Sequence, residues 1–288
     1  MNYKRFAAKY ALIMAIISLG SKFLGFIRET LIASKFGAGM ETDAYFIALT
    51  VTSLLAELIR TSLSTTLIPI FSEIEYKEGK KGKIKYFNNL FNIIIFMALI
   101  IIVLGWISSP LIIKILAKGF EGEQFKLAVK LIRIGMPSIL FISLVGMITG
   151  YLNSEQIFIS SAATGIPSNI ILIFYLLTAS SFLGIKGLMV TSVIASFSQV
   201  LIQIPSFKKS GWRYKFKVRI NDKNIIRILE LSVPVLIGVA INDLNAIVDR
   251  TLASSLDSGS ISVLSYSNRL NVLILGVFIT AITTVIFP

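Results

Sequence analysis

The stretch SKFLGFIRETLIASKFGAGMETDAYF, residues 21–46, decides how this chain is read. It lies inside an apolar run that starts near residue 8, takes in Lys22, Arg28 and Glu29, and only then meets the turn signal FGAG. A glycine-rich end of this kind closes one helix, and an apolar run from residue 43 opens another.

The rest of the chain identifies the solvent these helices face. Of 288 residues, 55% are apolar and only 15% charged, and the mean hydropathy is +0.82. That composition excludes an ordinary soluble domain. A bilayer crossing takes about 20 residues, and runs of sufficient length occur at 8–36, 43–72, 86–113, 127–152, 157–182, 187–207, 225–256 and 262–287. The fold class is therefore all-α and polytopic, with about eight transmembrane helices, because only helices satisfy their own backbone within such runs. The start MNYKRFAAKYALIMAIISLG is basic and then apolar, yet no cleavage site with a polar sequel follows, so it reads as a retained first helix.

The chain has no cysteine and no histidine, which excludes disulfide frameworks, thiolate or imidazole metal sites and nucleophile–histidine catalysis. Its net charge is +13, but the basic residues sit in the loops between apolar runs, which fits membrane topology and not a nucleic-acid partner. With the N-terminus placed inside, 16 Lys and Arg fall in inner loops, against 5 in outer ones, Lys35, Lys114, Lys118, Lys126 and Lys186. Both ends are then cytoplasmic, and the basic loops also meet anionic lipid headgroups.

The longest polar break, Ser206 to Asn224, separates six helices from two. This division gives a first lobe at 1–207, a basic cytoplasmic linker at 208–224, and the first two helices of a second lobe at 225–288. A weak repeat sets RETLIASKFGAG (28–39) against DRTLASSLDSGS (249–260), the pattern of two lobes with a site between them. Bends are expected at Gly20 and Gly25, at Pro137, at Pro167, and at Pro234 with Gly238. Gly146 and Gly150 form a G-x-x-x-G suited to close helix packing.

Away from loops and ends stand five cations, Lys22, Arg28, Arg60, Arg250 and Arg269, with the anions Glu29, Glu57, Asp243 and Asp249. Each costs about 2.5 to 3.5 kcal/mol at the centre of a lipid-facing helix. Turning the cations toward one water-filled cavity removes that cost and creates an anion site, and arginine's planar fork suits phosphate oxygens. The alternative is local neutralisation: Glu57 with Arg60 at i, i+3, and the other acids with the remaining cations.

At these residues the sequence resembles the MurJ (MviN) family of lipid II flippases, in the MOP exporter superfamily. SKFLGFIRETLIASKFGAGMETDAYFIA resembles the family's first helix and turn, STTLIPIFSE (64–73) is similar to the end of its second helix, and GSISVLSYSNRLNVLILGVFITAITTVIFP resembles its eighth. The resemblance implies a substrate, an undecaprenyl-pyrophosphate-linked disaccharide pentapeptide, moved from inner to outer leaflet by alternating access. It implies substrate-binding roles for Lys22, Arg28 and Arg269, with Asp43 and Ser64 in the matching segments. Lys22 stands where the family has arginine. A further family arginine falls near Ala56, and Arg60, one turn on, is expected to supply that charge, with Arg250 adding to the cavity. The family fold implies fourteen helices, so the chain is expected to be a fragment, and a monomer without nucleic-acid partners.

No chemistry on the substrate is needed, so the expectation is a carrier and not an enzyme. Membrane potential can drive the step, and Asp243, Asn242 and Asn245 offer oxygen ligands for a coupling cation such as sodium. The nearest rival is an exporter of another lipid-linked oligosaccharide (O-antigen type), whose pyrophosphate the cations would bind equally well. A drug-cation antiporter would need an acidic cavity, and a polyprenyl-phosphate enzyme would need clustered acids for magnesium. A structural scaffold is the remaining reading.

Overall fold

The computed structural model describes the backbone of residues 2–286 except 217, 220 and 221. Side chains are described apart from those of 2–11, 223–226, 229, 239, 240, 242, 243, 273 and 276–286. The elements are α1 (Asn2–Phe36), α2 (Met40–Leu116), α3 (Gly122–Gly135), α4 (Ser138–Ser154), α5 (Ile159–Ala162), α6 (Gly165–Thr178), α7 (Ser180–Lys209), α8 (Lys223–Ala253) and α9 (Ser260–Ile286). No strand occurs among the described residues.

These elements form the eight crossings read from the sequence. Helix α2 has 77 residues, which as one rod would measure about 115 Å, several times the hydrocarbon thickness of about 30 Å. It is instead a hairpin: Gly79 takes φ 69°, ψ −179°, a left-handed backbone that favours glycine. The rings of Phe71 and Phe87 then meet at 5.9 Å, although sixteen helical residues would separate them by about 24 Å along one axis. Among the described residues, Met40–Leu116, Gly122–Ser154, Ile159–Thr178 and Ser180–Lys209 are each long and apolar enough to cross a membrane. Exposed apolar side chains such as Phe96, Ile107, Phe174 and Phe182 cover the outside, a surface suited to acyl chains and not to water.

The expected bends divide. Pro137 does break a helix: it separates α3 from α4, and tight i→i+3 bonds from Ile139 N–H to Met136 O and Leu140 N–H to Pro137 O carry the chain round. Pro167 sits in the first turn of α6, where a missing N–H costs no helical bond, and the interruption falls just before it, at residues 163–164. Gly20, Gly25 and Pro234 lie within α1 and α8, which run on through them. The Gly146–Gly150 pair packs as expected. A Cβ on Gly146 would come within 2.7 Å of the Arg60 Cα, and one on Gly150 within 3.2 Å of the Leu63 carbonyl, so α4 lies against the first limb of α2 at backbone contact.

Two packed clusters mark the ends. Near Asp43, Tyr45 and Phe46 pack with Ile132, Met136 and Leu188. At the other end an aromatic nest of Phe71, Phe87, Tyr151, Phe207 and Trp212 closes round Lys83, which is wholly buried. Lys83 Nζ donates to Glu75 Oε2 at 2.7 Å and Glu155 Oε1 at 2.6 Å, and lies 5.0 Å from the Tyr151 ring. Burial pushes the Glu155 carboxyl up, but Lys83 and Lys80 outweigh it and hold it below the usual carboxylate range. A carboxylate with a depressed folded pKa adds stability above its unfolded pKa and loses it as pH falls. Stability is therefore expected to drop as pH falls below about 4.5. Glu155→Gln should flatten that dependence, at a cost of about 1 kcal/mol at neutral pH, checked by thermal unfolding across pH.

Candidate functional site

Helix α1 carries Lys22, Phe26 and Glu29 at i, i+4, i+7, on one face, with Arg28 beside them. Two adjoining cavities open along this face. One, of about 160 Å³, is lined by Lys22, Phe26, Arg28, Glu29, Arg269 and Val272. The other, of about 180 Å³, shares Arg28, Glu29 and Arg269 and adds a hydroxyl-rich wall that includes Tyr45, Ser53, Ser192 and Ser196. Tyr45 Oη and Ser192 Oγ lie 3.2 Å apart and tie α2 to α7 across it.

The charges between the cavities form a triad. Arg28 Nη2 donates to Glu29 Oε1 at 2.6 Å, and Arg269 Nε lies 3.5 Å from the same oxygen. Arg28 Nη1 donates to Asn169 Oδ1 at 2.8 Å, and Asn169 in turn donates from Nδ2 to the Ser21 carbonyl at 3.0 Å. Asn169 thus fixes the plane of the Arg28 fork. The Glu29 Oε2 atom is buried with no hydrogen-bond partner. Two guanidiniums therefore share one carboxylate oxygen, while Lys22 lines the same space with no carboxylate partner among the described residues. Chemically this is an anion site whose resident anion is a side chain.

The other residues picked from the sequence lie elsewhere. Arg60 is not brought to these cavities: its Cα faces Gly146 of α4, and its guanidinium folds back onto Glu57, with Nε donating to Oε2 at 2.7 Å and Nη2 to Oε1. This is the local neutralisation, and Ala56, a turn earlier, is wholly buried and leaves no room for a cation. Arg250 lines neither cavity. Ser64 donates to the Thr61 carbonyl of its own helix at 3.2 Å. Asp43 is buried and caps α9, accepting from Gly259 N at 2.6 Å, Ser262 N at 2.8 Å and Ser262 Oγ at 2.5 Å. Asn245 is exposed, whereas the side chains of Asn242 and Asp243 lie outside the described residues.

Asn169 and the bridging role of Glu29 escaped the sequence reading. The signal for Asn169 was there, a lone amide in the apolar run IPSNIILIFYLL, since a polar group in a membrane helix seeks a partner on another helix. Arg133 escaped too, and stays apart, its guanidinium 4.5 Å from the Trp106 ring.

Fold and site together define a class: a multi-pass helical membrane protein with a cationic interior. A structure titled as lipid II flippase MurJ in an inward closed conformation superposes with a TM-score of 0.80 at 29% identity, over 95% of this chain and 57% of that one. A MATE structure and a MOP superfamily transporter from Pyrococcus furiosus match the fold with TM-scores of 0.67 and 0.68 at 14% identity, over 91% of this chain and 60% and 59% of theirs. The family model described as lipid II flippase MurJ matches residues 32–288, and the chain belongs to that family. A probable lipid II flippase MurJ of Buchnera aphidicola is 33% identical over 95% of this chain and 55% of its own length. One from Treponema pallidum is 26% identical over 100% of this chain and 56% of its own. The chain thus spans little more than half the length of these relatives.

Proposed function

We propose that this chain forms the cationic part of a lipid II flippase, which moves an undecaprenyl-pyrophosphate-linked peptidoglycan precursor from the inner to the outer leaflet of a bacterial inner membrane. The observation that carries this reading is the convergence of Arg28 and Arg269, on α1 and α9, upon one carboxylate oxygen beside Lys22. Family membership favours the peptidoglycan precursor over another lipid-linked oligosaccharide. Positive-inside counting supports a cytoplasmic N-terminus, which puts the Lys83 end at the inner leaflet and the Asp43 end outside.

The mechanism is exchange of anions. A diphosphate enters beside Lys22, takes the donors of Arg28 and Arg269 that Glu29 now holds, and leaves its polyprenyl tail in the bilayer. Moving one negative charge outward across a potential negative inside gains about 2.3 kcal/mol per 100 mV, so the membrane potential assists the step. A coupling cation such as sodium, held at Asn242, Asp243 and Asn245, would add a second driver, seen as sodium-dependent transport that Asp243→Asn removes.

The direct test is retention of undecaprenyl pyrophosphate by the purified chain in detergent, read by native mass spectrometry against undecaprenol. Arg269→Gln is expected to weaken retention about tenfold, the loss of one charge-assisted hydrogen bond. Arg60→Gln should leave it unchanged, because Arg60 lines neither cavity. Equal retention by wild type and Arg269→Gln would remove the site from the substrate path.

A further inference from the structure

A separate cavity lies at the Lys83 end. It encloses about 650 Å³, and its lining includes Lys81, Ile84 and Lys85 of α2 with Arg213, Lys215 and Phe216 from the segment after α7. Its four cations have no carboxylate partner among the described residues. Neighbouring lysines are treated differently: Lys77 pairs with Glu73, Lys80 with Glu155, and Lys83 with Glu75 and Glu155. The turn EYKEGKKGKIK therefore neutralises three of its lysines and leaves Lys81 and Lys85, at i and i+4 on one helical face, unpaired. Like charges at that spacing oppose helix stability, so the arrangement fits an external anion better than the fold's own needs.

The opposite wall is fixed in place. Residues 212–216 follow α7 outside any helix, and Trp212 Nε1 donates to Asn88 Oδ1 at 2.9 Å while Tyr214 Oη donates to Asn92 Oδ1 at 2.8 Å. Asn88 Nδ2 also donates to the Arg213 carbonyl at 2.8 Å. With Trp212, Tyr214 and the Arg213 carbonyl all bonded to α2, the segment is held where Arg213 and Lys215 line the cavity. Four cations are thereby assembled before any ligand arrives.

The rim is amphiphilic. Phe216 is 78% exposed, and Ile84 lies beside it in the lining. Trp212 and Tyr214 stand next to the cavity, residue types that settle at headgroup depth. The outward apolar surface of α2 resumes at Phe96, about 16 Å along the helix from Lys85. A soluble phosphate would have no use for the apolar rim.

We propose that this cavity binds the phosphate headgroup of an anionic membrane phospholipid, with Lys81, Lys85, Arg213 and Lys215 on the phosphate and Phe216 and Ile84 against the start of its acyl chains. The proposal is independent of the flippase reading, since it uses none of the residues around Arg28.

The test is phosphatidylglycerol retention by the purified 288-residue chain, measured by native mass spectrometry with phosphatidylcholine as the neutral reference. Lys85→Gln with Arg213→Gln should cut the preference for phosphatidylglycerol about thirtyfold, at about 1 kcal/mol for each cation removed. Lys81→Gln with Lys215→Gln should do the same, and serves if the first pair unfolds, as judged by circular dichroism. Lys208→Gln with Lys209→Gln removes as much charge outside the cavity and should change the preference less than twofold, about the noise of a surface effect. An equal loss in that control would reduce the site to diffuse surface charge. Displacement of the lipid by an equal concentration of glycerol phosphate would make a soluble phosphate the ligand and overturn the lipid assignment.

Discussion

Asp43→Ala is expected to lower stability by about 4 kcal/mol, the largest effect of any single substitution away from the arginines. Asp43 is 2% exposed, and its two oxygens accept from Gly259 N, Ser262 N and Ser262 Oγ. Those backbone N–H groups belong to the start of α9, which has no other intrahelical acceptor for them and which favours a negative charge. Alanine removes the charge and leaves two buried donors unpaired. Asparagine keeps one oxygen for Ser262 but turns an NH₂ toward the Gly259 N–H, so Asp43→Asn should cost about half as much. The same contact holds α9 to the α1–α2 turn, where Tyr266 Oη donates to the Gly37 carbonyl at 2.9 Å. Denaturant unfolding in detergent gives the magnitude, and hydrogen exchange at Gly259 and Ser262 gives the place. A loss under about 0.5 kcal/mol, within the range of an ordinary surface substitution, would show that the cap adds nothing.

The role of Asp43 shows where sequence reading stops. The eight crossings were legible because a bilayer imposes a length and an apolar composition on each one, and Gly79 marks the hairpin inside α2 that helical periodicity cannot distinguish from a straight rod. A capping partner 216 residues away along the chain leaves no such mark. The family resemblance alone gave Asp43 a place among the expected substrate ligands, and the packing of α9 adds a capping role that no local pattern announces. Arg60 is a milder case. Its i, i+3 partner Glu57 was visible, and the choice between pairing and convergence rested on which way the residue faces. Close contact of Gly146 with the Arg60 backbone decides it, by directing that face to α4. Arg28 and Arg269 had no comparably placed partner, since the neighbouring Glu29 is shared by both. Asn169 was a readable anomaly whose target, the Arg28 fork, was not.

Glu29→Gln is expected to move stability and binding in opposite directions. Glu29 Oε1 holds Arg28 at 2.6 Å and lies 3.5 Å from Arg269 Nε, and a diphosphate entering this space needs the same donors. The carboxylate is therefore both the counterion of the two arginines and the competitor of their ligand. Replacing it with a neutral amide leaves the Arg28 hydrogen bond possible but removes its charge assistance. With Arg28 only partly buried, the expected loss is about 2 kcal/mol, short of the cost for a fully desolvated pair. The two guanidiniums then face the cavity uncompensated, and undecaprenyl pyrophosphate should bind about tenfold more tightly, one displaced charge-assisted bond of about 1.4 kcal/mol. Glu29→Asp keeps the charge on a shorter arm and should leave affinity near wild type. The pair of measurements, unfolding and ligand retention on the same samples, separates the two roles. If Glu29→Gln weakens binding as Arg269→Gln does, Glu29 orients the arginines for the ligand, and the exchange of a side-chain carboxylate for a phosphate is not how this site works.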